Sequence, residues 1–140
     1  VVRNPYDRVL SSVLHFSRND KQRLFDLPDR PGAGDFEAAI LAWIEVDAPD
    51  HNVRAHRRPQ SDYVRMKDRA NATDFTLRFE HLNDDFDRLR DRLGATGVSL
   101  GRTGAGRLRD RDYRDLYTDT SRKAVERAFA ADLELFAYCF

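Results

Sequence analysis

The stretch V-V-R-N-P-Y-D-R-V-L-S-S, residues 1 to 12, places Arg3 directly before Asn4-Pro5 and Ser11 eight residues beyond Arg3. A guanidinium is a planar fork of N–H donors and a serine hydroxyl is one more, so the pair suits a tetrahedral oxyanion. Asn4 can cap a helix, Pro5 fits its first position, and Asp7 complements the positive end of the dipole. Val1 and Val2 read as the end of a buried strand. The stretch thus predicts strand, tight turn and helix, with unpaired helical N–H groups and Arg3 converging on an anion.

A second group with chemical potential is H-R-R-P-Q-S-D, residues 56 to 62. His56 is a candidate general base. Arg57, Arg58 and Gln60 would meet an anionic or polyhydroxyl partner. The plainer reading of His56 is a solvated loop histidine. Asp132 falls on the apolar stripe of Val125, Ala128, Phe129 and Phe136. A carboxylate there must be paired, and an ion pair with an arginine such as Arg8 is expected rather than catalysis. The four histidines form no H-x-x-x-H or H-E-x-x-H pair, so no metal site is predicted. There is no G-x-S-x-G elbow. The single cysteine, Cys139, excludes an internal disulfide and reads as a small buried hydrophobe. G-R-T-G-A-G, residues 101 to 106, fits neither phosphate-binding glycine motif and reads as a surface loop, with Thr103 and Arg107 as weak contacts. Asn71-Ala72-Thr73 is a glycosylation triplet of the kind that arises by chance.

The elements that must position these groups follow from periodicity. Tyr6, Val9, Leu10, Val13 and Leu14 recur on one face and predict a helix from Pro5 to about Arg18. Residues 19 to 34 read as a loop. Asp35 then caps F-E-A-A-I-L-A-W-I, a buried helix. Residues 47 to 62 have no usable period and read as a polar, basic loop. D-F-T-L-R-F-E, residues 74 to 80, alternates like a strand and should share a sheet with Val1 to Arg3. It leads into a helix that Gly94 ends. A long helix capped by Asp119 or Thr120 closes the chain. The 140 residues suit one domain. The chain starts at Val1, inside the expected strand, and its one methionine is Met66, so a partial domain is expected. Net charge is zero, which gives no global field for nucleic acid or anionic lipid. Arginine outnumbers lysine 21 to 3 and aspartate outnumbers glutamate 19 to 5, a bias that either anion recognition or a GC-rich genome produces. No apolar run approaches the roughly 18 residues of a membrane span.

The opening segment closely resembles the 3′-phosphate-binding segment of sulfotransferases that use 3′-phosphoadenosine 5′-phosphosulfate (PAPS), in particular the Golgi carbohydrate group and its bacterial relatives. That family reads Arg-Asp/Asn-Pro-aromatic-Glu/Asp-Arg with a serine after it; here Arg3, Asn4, Pro5, Tyr6, Asp7, Arg8 and Ser11 stand at those positions. Residues 56 to 62 resemble its His-x-x-Pro-Gln loop. F-T-L-R-F-E-H-L-N-D-D-F, residues 75 to 86, resembles its Arg-Phe-Glu-x-Leu step, and A-A-D-L-E-L-F-A-Y-C-F, residues 130 to 140, resembles its terminal helix.

The resemblance implies an α/β, P-loop-like fold, of which residues 1 to 140 would be a mostly helical C-terminal portion with about two core strands. It implies that Arg3 and Ser11 hold the 3′-phosphate of PAPS and that no metal takes part. A sulfuryl group would move to a hydroxyl acceptor, a carbohydrate by preference, with His56 as base and Arg57, Arg58 and Gln60 on the acceptor. The alternatives are a non-catalytic nucleotide- or glycan-binding module and a P-loop kinase-like enzyme. Two family features have no match here: the upstream loop that holds the 5′-phosphosulfate, and a Leu-Pro-x-x-Asn-x-Ser stretch, replaced by S-L-G-R-T-G-A-G-R at residues 99 to 107. Without that loop the 140 residues alone are expected to be inactive. A bacterial member would be cytoplasmic, and a eukaryotic one would face the Golgi lumen behind an N-terminal anchor.

Overall fold

Asn4 and Pro5 start the first helix where the sequence places it. Asn4 Oδ1 accepts from the Tyr6 N–H at 3.1 Å, and α1 runs Pro5–Arg18. The computed structural model describes residues 1–18, 23–47, 50–67, 71–101 and 111–140. Helix α2, Ala33–Glu45, begins two residues before Asp35, whose carboxylate caps from inside the first turn by accepting the Gly32 N–H at 2.9 Å. The expected loop at 47 to 62 instead holds two short helices, α3 (His51–Arg57) and α4 (Ser61–Val64). Asp50 caps α3 by accepting from Asn52 N and Val53 N, and Val53 is the one buried residue of that helix. A single apolar anchor leaves no period to read. A 3₁₀ turn at Phe79–His81 leads into α5, Leu82–Arg92, and Gly94 follows it with a positive φ of 62°. A second 3₁₀ turn, Tyr113–Leu116, precedes α6, Asp119–Ala128, which Thr118 caps. The expected long last helix breaks at Phe129 (φ −120°, ψ 26°), and α7 is Ala130–Phe136.

The core forms where α1, α2 and α6 pack together, and the second 3₁₀ turn lies against it. Phe16 and Trp43 stack at 5.2 Å, and Leu10, Val13, Ile40 and Val125 are fully buried around them. Burying each such side chain contributes about 1.5–3 kcal/mol, and this anchors α1, with Arg3 just ahead of it, against the core.

The expected α/β, P-loop-like architecture with core strands is corrected by the structure: among the described residues the chain is mostly helical and forms no strand or sheet. The two segments expected to be strands do meet, but only as one isolated parallel bridge between Val2 and Arg78. Val2 N donates to Leu77 O at 2.8 Å and Phe79 N to Val2 O at 2.7 Å. The pairing stops there for local reasons. Pro5 opens α1 immediately after the first segment and has no N–H to donate. In the second segment Arg78 N donates to the Asp85 carboxylate at 2.7 Å, and the 3₁₀ turn starts at Phe79. Cys139, expected to be buried, is exposed. Thr103 and Arg107 lie outside the described residues.

Candidate active site

Arg3 Nε donates to Asp7 Oδ2 at 2.6 Å, and its guanidinium carbon lies 4.4 Å from the centre of the Phe79 ring. Among the described residues no acceptor binds its two terminal nitrogens. Asp7 therefore holds the guanidinium by one edge and leaves the other edge, the two-nitrogen fork, available to an anion. Asp7 and Ser11 are one helical turn apart on α1, about 6 Å along the axis, so the Arg3 fork and the Ser11 hydroxyl belong to one side of the helix. At this entrance Asn4 N donates to Glu80 Oε1 at 2.6 Å, and the first N–H of the helix, that of Tyr6, donates to Asn4 Oδ1. The donors without an acceptor among the described residues at this entrance are thus those of the Arg3 fork. A cleft of about 370 Å³ opens beside Asp7 and is lined by Asn4, Arg78, Glu80, Tyr113 and Arg114 among others.

His15 continues the same stripe of α1, and its ring lies parallel to that of His56, with centroids 5.7 Å apart and planes 6° apart. His56 also meets the edge of Phe16 at 5.3 Å. Its Nδ1 is 2.9 Å from the Asn52 carbonyl oxygen. A carbonyl only accepts, so Nδ1 carries the proton and Nε2 is the basic nitrogen of the neutral ring.

The neighbours of His56 divide. Arg57 turns away and donates through Nη2 to Ile44 O at 2.7 Å and through Nη1 to Val46 O, closing the C-terminal end of α2. Arg58 is exposed, with Nε 3.4 Å from Asp62 and its guanidinium 4.8 Å from the Tyr63 ring. Gln60 clasps the main chain of Arg3 with both ends of its amide: Arg3 N donates to Oε1 at 2.9 Å, and Nε2 donates to Arg3 O at 2.8 Å. Arg3 and Gln60 are thus in direct contact; Ser11 is on α1, and His56, on α3, packs against α1 further along, at His15 and Phe16. Arg57 does not join them.

One connection was only partly visible in the sequence. Asp132 is fully buried, and Arg8 Nη1 lies 3.8 Å from its Oδ2, the arginine pairing expected for it. Burial pulls the Arg8 guanidinium below its ordinary pKa, and the Asp132 charge opposes that shift. Asp132 also accepts from Gln60 N and Ser61 N, each at 2.8 Å. Arg8 Nη2 donates to the main-chain oxygens of His56 (2.8 Å) and Arg58 (2.6 Å). The role of Glu80 as cap of the α1 entrance had no sequence signal, because its partner Asn4 lies 76 residues away.

Among the described residues no group of three or more His, Cys, Asp or Glu side chains could hold a metal ion, and no helix is long and apolar enough to cross a membrane. No family model, curated protein or solved structure matches the chain.

Proposed function

We propose that this chain binds the 3′-phosphate of an adenine nucleotide through Arg3 and Ser11 and serves a PAPS-dependent sulfuryl transfer to a hydroxyl acceptor, a carbohydrate by preference. The observation that carries the reading is the Arg3 fork: Asp7 engages Nε alone, the terminal nitrogens have no acceptor among the described residues, and Ser11 lies one turn beyond Asp7. A phosphate dianion takes two bonds from such a fork and a third from a hydroxyl. The adjoining cleft, with Tyr113 and the cationic Arg78 and Arg114 in its wall, offers room for the nucleoside.

In the transfer, the acceptor oxygen forms a bond to sulfur as the bond from sulfur to the bridging phosphate oxygen breaks. The acceptor proton passes to His56 Nε2, and adenosine 3′,5′-bisphosphate leaves. Arg58 is the arginine of the loop available to an anionic or polyhydroxyl acceptor. Gln60 supports the site by holding the main chain of Arg3, and Arg57 braces the end of α2 instead.

Isothermal calorimetry with adenosine 3′,5′-bisphosphate tests the reading. Arg3→Ala should weaken binding by about 1.5–3 kcal/mol, the worth of a hydrogen bond to a charged group, and Ser11→Ala by about 1 kcal/mol. Arg3→Lys should recover only part of the loss, because an ammonium has no fork. Equal affinity in wild type and Arg3→Ala would remove the assignment.

A further inference from the structure

Four of the residues assigned to the site, Arg3, Gln60, His56 and Arg58, hang on a single carboxylate that touches none of the proposed reactants. Asp132 sits on α7, fully buried, and its two oxygens receive the main-chain N–H groups of Gln60 and Ser61. From Gln60 one arm continues through its side-chain amide to both main-chain polar groups of Arg3. From Arg8, the ion-pair partner of Asp132, a second arm reaches the carbonyls of His56 and Arg58. We propose that Asp132 is a positioning residue that sets the distance between the anion fork at Arg3 and the imidazole of His56. The proposal rests on the function proposed above.

The physical case is that each arm is made of fixed partners. A fully buried carboxylate has no water to relax into, so its position is fixed by the donors it satisfies. Gln60 holds Arg3 at two points, which fixes the strand-like residue in rotation as well as in distance. Arg8 is itself largely buried and joins two carbonyls on either side of Arg57, which pins the end of α3 against α1. Moving Asp132 therefore moves Arg3 and His56 together. Packing alone does not require this arrangement, since an apolar residue of similar volume would fill the same place.

The test compares Asp132→Asn, Asp132→Glu and Gln60→Ala by calorimetry with adenosine 3′,5′-bisphosphate and by ¹⁵N NMR of the Arg3 and His56 resonances. Asparagine matches the volume but turns a donor toward main-chain N–H groups, whereas glutamate keeps both acceptor oxygens. Positioning therefore predicts affinity in the order Asp above Glu above Asn, with Asn weaker by about tenfold. A packing role predicts the reverse order for the two variants. Gln60→Ala should show a similar loss, and the Asp132→Asn/Gln60→Ala double variant should be little worse than either single one. Folded Asp132→Asn protein with wild-type affinity and unmoved Arg3 and His56 resonances overturns the proposal. If Asp132→Asn does not fold, unchanged affinity in Gln60→Ala overturns it. If the wild type fails to bind the nucleotide, the function reading falls separately. The NMR shifts of Arg3 and His56 in the variants then decide the positioning role alone, shifts at both residues supporting it and unmoved ones overturning it.

Discussion

Arg3 presents its terminal nitrogens because Asp7 engages only Nε, whereas both terminal nitrogens of Arg57 bind the carbonyls of Ile44 and Val46. The two side chains should therefore separate by experiment. Arg57→Ala removes two charge-assisted bonds at the end of α2 and should lower stability by about 1–3 kcal/mol. Thermal melts would show that loss while calorimetry finds nucleotide affinity unchanged; weakened binding would place Arg57 in the site after all. His56 belongs to a third kind, held by Nδ1 against the Asn52 carbonyl. In a protein that carries this chain together with a 5′-phosphosulfate-binding loop, His56→Ala should cut turnover by about 10²–10⁴-fold in a sulfuryl-transfer assay and leave nucleotide affinity nearly intact. A loss under tenfold would make it a positioning or solvated residue. The placement of Arg3 just before α1 and of Ser11 inside it was legible because the Asn-Pro entrance and one apolar stripe fix that helix. The work of Arg57 was not, because its acceptors lie 11 and 13 residues away on another element.

At the scale of elements, the helices with an apolar stripe were readable and those capped from a distance were not. α1 was anticipated closely because its stripe and its Asn-Pro entrance agree. α4 is only four residues long, and its first N–H groups are satisfied by Asp132, which lies 71 residues from Ser61. Nothing in residues 56 to 64 announces that partner. The C-terminal stripe was legible as apolar but not as broken. At Phe129 the chain leaves helical geometry for one residue, and the Asp132 and Leu133 N–H groups both bond its carbonyl at 3.0 Å. α6 enters through a cap that does two jobs: Thr118 Oγ1 accepts from Ser121 N, and it donates to Glu37 of α2. Thr118→Ala should therefore cost about 1–2 kcal/mol, toward the upper end of a lone cap. Urea unfolding should show a lower midpoint at unchanged slope. A loss below about 0.5 kcal/mol would mean that the contact with Glu37 contributes nothing.

The whole molecule is closed by its two ends, which meet over a cluster of aromatic rings. Tyr6 of α1 meets Phe140 edge to face at 4.9 Å and Tyr117 at 5.7 Å, and Asn4 Nδ2 donates to the carbonyl of Cys139 at 3.0 Å. Tyr117 OH donates to Tyr6 O at 2.9 Å, and Tyr138 OH donates to Glu80, the residue that also receives the Asn4 N–H. Both phenols are held well above their ordinary pKa, Tyr117 by burial and Tyr138 by burial and then its bond to the Glu80 carboxylate. In the unfolded chain both would ionise near pH 10. Below that value each phenol is protonated in both states and pH does not matter to it. As pH rises through about 10 the unfolded chain releases these protons and the folded chain keeps them, so the native state binds more protons and stability falls. Thermal melts taken from about pH 8 to about pH 11 should therefore show a flat region and then a decline in Tm. Tyr117→Phe removes one of the two groups and the bond to Tyr6 O. It should be less stable than wild type by about 1 kcal/mol in the flat region, yet decline less steeply above pH 10. Parallel declines in the two proteins would show that the Tyr117 phenol ionises freely in the folded chain and that the aromatic closure is open to water.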